Sequence, residues 1–138
     1  LGTYLRRLVG KLKDAFDVNA GPIVFRVELD AVDVPCRSAA NIGLFINEAV
    51  TNSFKHAVPN GATEICVTLK RANGAAMLTV SDDGPGFPKS GHYHAGGTIL
   101  MKRLAERSHA KVERDSDWPG TRYVVRIPLP ASEAIGMP

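Results

Sequence analysis

The run Asn47-Glu48-Ala49-Val50-Thr51-Asn52-Ser53-Phe54-Lys55-His56-Ala57 is where chemistry first suggests itself. On a helix, Glu48, Asn52 and either Lys55 or His56 fall at i, i+4 and i+7 or i+8, so they line one face. A carboxylate and an amide one turn apart can share a hard cation or its water shell; Mg²⁺ takes oxygen ligands and keeps several waters. A lysine one turn further on would meet a phosphate. The same stripe also describes the solvated face of an ordinary amphipathic helix. A second cluster follows at Asp82-Asp83-Gly84-Pro85-Gly86, where a strand-forming run ends in Asp-x-Gly-x-Gly. By strand parity Asp82 shares the inward face of Leu78 and Val80. An inward acid needs a donor, and an exocyclic amine such as that of adenine would supply one. Gly84 and Gly86 permit tight turning and close approach of a ligand, although Asp-Gly-Pro-Gly is good turn chemistry in any protein. The third cluster is Gly120-Thr121, which opens the last strand with Thr121 inward. Its hydroxyl could help Asp82 hold one ligand edge, directly or through water.

The elements that must position these residues can be read from periodicity. Residues 1–17 carry Leu1, Leu5, Leu8, Leu12 and Ala15 at spacings of 4, 3, 4 and 3, which predicts an amphipathic helix. Its stripe packs either on this domain or on a partner helix. Ile23, Phe25, Val27 and Leu29 alternate with polar residues and predict a half-buried strand over 23–29, with a short return strand at 31–34. A long helix is expected over 38–57, capped by Ser38 and stopped by Pro59-Asn60-Gly61. Strands follow at 63–70 and 75–82, joined by the hairpin signal Asn73-Gly74. A loop rich in Gly and Pro covers 83–97, a helix 98–108 and a short strand 110–114. A turn at 116–120 leads into the strand 121–128, and the tail 131–138 frays. The sum is an α/β (α+β) two-layer sandwich, a mixed sheet with one face covered by helices.

Composition narrows the class. The chain has 138 residues, enough for one domain with its own core, and its 17 basic against 14 acidic residues are scattered. That balance argues against a nucleic-acid module and against a polybasic membrane anchor. No apolar run approaches the ~18 residues of a membrane span. The two cysteines, Cys36 and Cys66, cannot form a disulfide scaffold, and free thiols suit the cytoplasm. The chain opens with Leu1, so the expectation is a domain cut from something longer.

The order E-x-x-x-N, D-x-G-x-G and G-T, on helix, strand end and strand, strongly resembles the GHKL ATPase superfamily. The chain is most similar to the catalytic ATP-binding domain of sensor histidine kinases, in the branch related to the HWE kinases. There the helix reads N-E-hydrophobic-hydrophobic-T-N-x-x-K-H-A, matched here by Asn47 through Ala57. The W-x-E motif of the strict HWE group is absent, so the chain stands beside that group. The resemblance covers about 20–130 and implies a Bergerat-type fold with nucleotide held between helices and sheet. It implies that Asn52 holds Mg²⁺ against the phosphates, that Glu48 is the general base or polarises the incoming imidazole, and that Lys55 and His56 approach phosphate. Asp82 would accept from the adenine amine with Thr121 beside it, and Gly84, Gly86 and Gly97 would pass close to the nucleotide. The family loop G-x-G-L is altered: Gly97 matches its second glycine, but Ala95 replaces the first and Thr98 the leucine.

The implied cofactors are ATP and Mg²⁺. The implied partners are an upstream dimerisation domain bearing the phosphoacceptor histidine and a downstream response regulator. The division expected is a helical linker over 1–18, a catalytic domain over 19–130 and a tail, with the isolated domain a monomer. None of His56, His92, His94 and His109 sits on a dimerisation helix, so the phosphoacceptor is expected upstream of Leu1. Two other readings stand beside this one: an anti-sigma-factor serine kinase of the same superfamily, and a degenerate nucleotide-binding module motivated by the altered loop. Trp118, in its turn, reads as a partly exposed aromatic rather than a binding platform.

Overall fold

A computed structural model describes residues 2–20, 23–34, 36–85, 103–104, 106–107, 109–115 and 118–129. Helix α1 spans Gly2–Ala20, strand β1 Val24–Leu29 and helix α2 Cys36–Asn52. The helical path continues as a π-helical turn over Ser53–Ala57 and a 3₁₀ turn over Val58–Asn60. Strands β2 (Glu64–Ala72), β3 (Ala75–Asp82), β4 (Lys111–Arg114) and β5 (Arg122–Pro128) complete the described elements. The five strands form one sheet in the order β1-β2-β3-β5-β4. β1 runs parallel to β2, with α2 between them in sequence, and every other pair is antiparallel.

Strand parity decides the core. Ile65, Val67 and Leu69 of β2, Ala76, Leu78 and Val80 of β3, and Tyr123, Val125 and Ile127 of β5 are all buried in one cluster. Register puts Val67 opposite Val80 and Leu78 opposite Val125, so the apolar side chains stack in rows across the sheet. The helices cover this face. Phe45, Ile46, Ala49 and Val50 of α2 bury against it, and Phe45 meets Tyr123 edge to face with centroids 6.0 Å apart. Leu5, Val9 and Leu12 of α1 join the same cluster, so the α1 stripe packs on this domain. At the crossing of the two helices Gly43 faces the Tyr4 ring; a Cβ there would lie 2.8 Å from Cε1. The opposite face of the sheet is polar, with Arg26 paired to Glu64 and Lys70 to Glu28 across β1 and β2.

Three boundaries differ from those expected. No strand forms over 31–34: Asp30 N–H donates to Leu69 O at 2.8 Å, and the Asp30 carboxylate accepts from Arg71 N, which turns the chain off the sheet. Val32, whose apolar character suggested a strand, is buried in the core instead, and Val34 packs against it. Ser38 is the third residue of α2 and so cannot cap it; Cys36 and Arg37, which open the helix, carry no capping signal. The α-helix proper ends at Asn52, five residues before the expected end, because the last turn widens to π geometry. The Asn73-Gly74 hairpin holds as read, with both residues at positive φ (48° and 78°). So does the stop at Gly61, left-handed at φ 106°. Of the helix expected over 98–108, residues 103–104 and 106–107 are helical; its remaining positions and the tail 131–138 lie outside the described residues. Both cysteines are free thiols. Among the described residues, no helix is long and apolar enough to cross a membrane.

Because Leu5 is fully buried beneath α1, Leu5→Ala should cost about 2–5 kcal/mol of stability in a urea titration. A loss within 0.5 kcal/mol, the range of a surface change, would show that α1 is not part of the core.

Candidate functional site

The end of α2 and the end of β3 meet over a small cavity lined by Ala49, Asn52, Ser53, His56, Ala57, Asp82 and Thr121. Positions 49, 52, 53, 56 and 57 share one lining because they fall at the i, i+3, i+4, i+7, i+8 spacing of one helical face, and the turn over Ser53–Ala57 is π-helical. A π turn closes i→i+5 bonds and is wider than an α turn; here Val58 N–H donates to Ser53 O. The lining settles which basic residue follows Asn52: His56 lines the cavity, whereas Lys55 is exposed and outside it. Glu48 lies one turn before Asn52, half-buried, and is also outside the lining.

Asp82 closes the floor at 3% exposure. A buried carboxylate must find donors, and this one has three among the described residues. Ser53 Oγ–H donates to Oδ2 at 2.7 Å, while Gly84 N–H and Thr121 N–H donate to Oδ1 at 3.0 and 3.2 Å. A carboxylate offers about four acceptor positions, and the described donors leave one of them, on Oδ2, facing the cavity. The cavity volume is about 20 Å³, and one water needs about 10–15 Å³. The enclosed part therefore takes the edge of a ligand or one water, with the rest of the ligand above it. Thr121 is held on both sides, since its carbonyl accepts from Asp82 N–H at 2.9 Å.

Two glycines make this approach possible. A Cβ at Gly84 would lie 2.7 Å from Ala57 Cβ and 3.2 Å from Asp82 Oδ1, and one at Gly120 would overlap the Asp82 carbonyl oxygen. Gly84 thus lets strand end and helix end touch. Gly86 and Gly97, the altered Ala95–Thr98 loop, His92 and His94 lie outside the described residues. Asn52 and Glu48 offer only oxygen or amide groups to a cation, and among the described residues no group of three or more His, Cys, Asp or Glu side chains could hold a metal. The Asn52 amide oxygen on the lining is an oxygen ligand of the kind Mg²⁺ takes beside phosphate and water.

Sequence reasoning missed Ser53. It sits within the quoted helix motif, but its duty appears only when the fold brings the helix end to the opposite strand. Asp83 was also missed. It turns away from the cavity, and its carboxylate accepts from Thr63 N–H (2.7 Å), Glu64 N–H (2.9 Å) and the Thr63 hydroxyl (2.7 Å). These bonds tie the end of β3 to the start of β2.

A mixed sheet roofed by helices, with a buried acid at a strand end beneath an Asn-bearing helix, defines an ATP-binding sandwich of the GHKL class. Residues 39–131 match the family of histidine kinase-, DNA gyrase B- and HSP90-like ATPases, and the chain belongs to that family. It is similar to blue-light-activated histidine kinase 2 of Erythrobacter litoralis, 29% identical over 94% of this chain and 38% of that protein. It is also similar to the nitrate/nitrite sensor protein NarX of Escherichia coli, 32% identical over 75% of this chain and 17% of NarX. Among solved structures, the histidine kinase domain of the E. litoralis EL346 blue-light-activated kinase superposes with a TM-score of 0.83 at 27% identity, covering 97% of this chain and 63% of that one. The catalytic domain of the histidine kinase ThkA shares the fold, with a TM-score of 0.73 at 17% identity, covering 94% of this chain and 92% of that one. The chain thus spans well under half of its curated relatives.

Burial pushes the Asp83 carboxyl up, but the hydrogen bonds from the Thr63 hydroxyl and from backbone N–H groups outweigh it and hold the group below its ordinary value. A lowered folded value stabilises the fold above the unfolded pKa of about 3.9, and that contribution fades as pH falls through the folded value. Acid titrations of stability should therefore show wild type exceeding Asp83→Asn at neutral pH, with the gap closing below about pH 4. A gap independent of pH would rule out this linkage.

Proposed function

We propose that this chain is the ATP-binding catalytic domain of a two-component sensor histidine kinase. It binds ATP–Mg²⁺ and passes the γ-phosphoryl group to a histidine on a separate dimerisation domain. The observation that carries this reading is the Asp82 carboxylate: buried, held by three donors, and with one acceptor position left at a cavity floor. Such an acceptor suits the exocyclic amine of adenine, with Thr121 beside it. Asn52 and His56, on the same lining, then face the phosphates. Asn52 would hold Mg²⁺, which neutralises phosphate charge during transfer. Lys55, exposed one turn on, would reach phosphate from solvent, and Gly86 and Gly97 would pass close to the nucleotide.

In the transfer, the bond from the γ-phosphorus to the ADP oxygen breaks as one forms to an imidazole nitrogen. Glu48 takes the imidazole proton or polarises the ring. The remaining catalytic power is positioning and charge stabilisation. The acceptor histidine lies on the dimerisation domain, α1 leads from it, and a response regulator receives the phosphoryl group. The reaction belongs in the cytoplasm, where ATP is available. The sensor kinases among the relatives support this over an anti-sigma-factor serine kinase.

Titrating ATP–Mg²⁺ into the chain should give saturable binding; none at millimolar concentration would overturn the proposal. Asp82→Asn should weaken adenine-nucleotide affinity by about tenfold or more, and unchanged affinity would sink the adenine assignment. In the intact kinase, Asn52→Ala should abolish Mg²⁺-dependent autophosphorylation, and full activity would exclude its metal role.

A further inference from the structure

Trp118 is the chain's single tryptophan, and it is not among the residues lining the cavity. Its indole Nε1–H nevertheless donates to the main-chain oxygen of Asp82 at 2.9 Å. The ring is held in turn. The Arg122 guanidinium lies over its face, 5.0 Å from the centroid, where the ring quadrupole attracts a cation. Arg122 also reaches the Asp115 carboxylate at 3.8 Å. The backbone closes the same loop: Trp118 N–H donates to Asp115 O at 3.3 Å, and Asp115 N–H to Arg122 O at 2.8 Å. Both the face and the N–H of the indole are therefore engaged, which partial exposure in a turn did not suggest.

The indole fixes one peptide. Asp82 N–H is bound by Thr121 O, Gly120 packs against the Asp82 carbonyl more closely than any Cβ would allow, and Trp118 completes the grip on that carbonyl. The direction of a side chain follows the orientation of its own backbone. The other end of that peptide is held by Asp83 N–H, which donates to Glu64 O at 3.3 Å; with no other donor to the Asp82 oxygen among the described hydrogen bonds, loss of the indole loosens the carbonyl end alone.

We propose that Trp118 is a positioning residue for base recognition: from outside the cavity it fixes the Asp82 peptide and so aims the Asp82 carboxylate at the exocyclic amine of the nucleotide. The proposal rests on the reading of this cavity as an adenine site. A well-aimed carboxylate rewards a base that carries an amine. The 6-oxo base of inosine presents an acceptor in the same place and leaves the ligand-facing acceptor position of the carboxylate without the amine. The preference for ADP over IDP therefore measures the aim of Asp82.

The experiment titrates ADP–Mg²⁺ and IDP–Mg²⁺ calorimetrically into three forms of the full chain: wild type, Trp118→Phe, and a chain whose tryptophan is replaced by benzothienylalanine. The last exchanges the N–H for sulfur at almost constant volume. Wild type should prefer ADP by on the order of tenfold or more. Both altered chains should lose about fivefold to tenfold in ADP affinity, with IDP affinity unchanged within about twofold, so the preference collapses. If Trp118→Phe does not fold, the benzothienyl chain decides. Equal losses for the two nucleotides, or a retained preference, would overturn the role of Trp118 alone. A wild-type chain that binds ADP and IDP alike would bring down the adenine reading and the proposal with it.

Discussion

A single buried carboxylate constrains this end of the molecule. Asp82 lies at the floor where helix and sheet meet, out of reach of bulk solvent at 3% exposure. Each surrounding element supplies a donor: the π turn through Ser53, the loop after β3 through Gly84, and the start of β5 through Thr121. Removing any one leaves a polar group buried with incomplete partners, which costs more than the bond itself contributes. The arrangement is therefore mutually dependent, and small shifts in one element reach the others through the carboxylate.

The widened turn at the end of α2 lies directly over this carboxylate. Ala49, Asn52, Ser53, His56 and Ala57 follow the i, i+3, i+4, i+7, i+8 spacing of one helical face and line one cavity. Ser53, the first residue of the π turn, reaches Asp82 while Asn52 and His56 stay on the lining. The π turn is followed at once by a 3₁₀ turn and the left-handed Gly61, with Asn60 Nδ2 donating to His56 O at 2.6 Å to close the irregular stretch. The free carbonyls of the helix end are satisfied locally, and the distortion remains confined to one place.

Much of this was legible in the sequence wherever one residue's neighbours along the chain decide its fate. Strand parity put Ile65, Val67, Leu78, Val80 and Asp82 on the inward face, and Asn73-Gly74 marked its hairpin. Spacing grouped Leu5 with Leu12, and the three motifs brought Asn52, Asp82 and Thr121 to one site. What escaped depends on partners distant in sequence. Ser53 and Asp82 are 29 positions apart, and no local period shows that a helical serine will meet a strand aspartate. Trp118 and Asp82 are 36 apart. The same holds for Asp30, whose bond to Arg71 ends the strand that Val32 and Val34 seemed to continue. Local patterns fix faces, but they do not fix which polar groups on those faces will meet.

The two adjacent aspartates show why the motif is nonetheless so recognisable. Asp82 is the last residue of β3 and turns inward; Asp83 turns outward and ties β3 to Thr63 and Glu64. One acid lines the cavity and the other fixes the strand end that carries it. Neither arrangement leaves room for a side chain at Gly84, which touches Ala57, or at Gly120, which touches the Asp82 carbonyl. The glycines are steric consequences of bringing a carboxylate beneath a helix end, and a motif that follows from packing in this way can be read without the structure. The donors around it can vary so long as the carboxylate remains satisfied, and for that reason Ser53 and Trp118 could be found only in the fold.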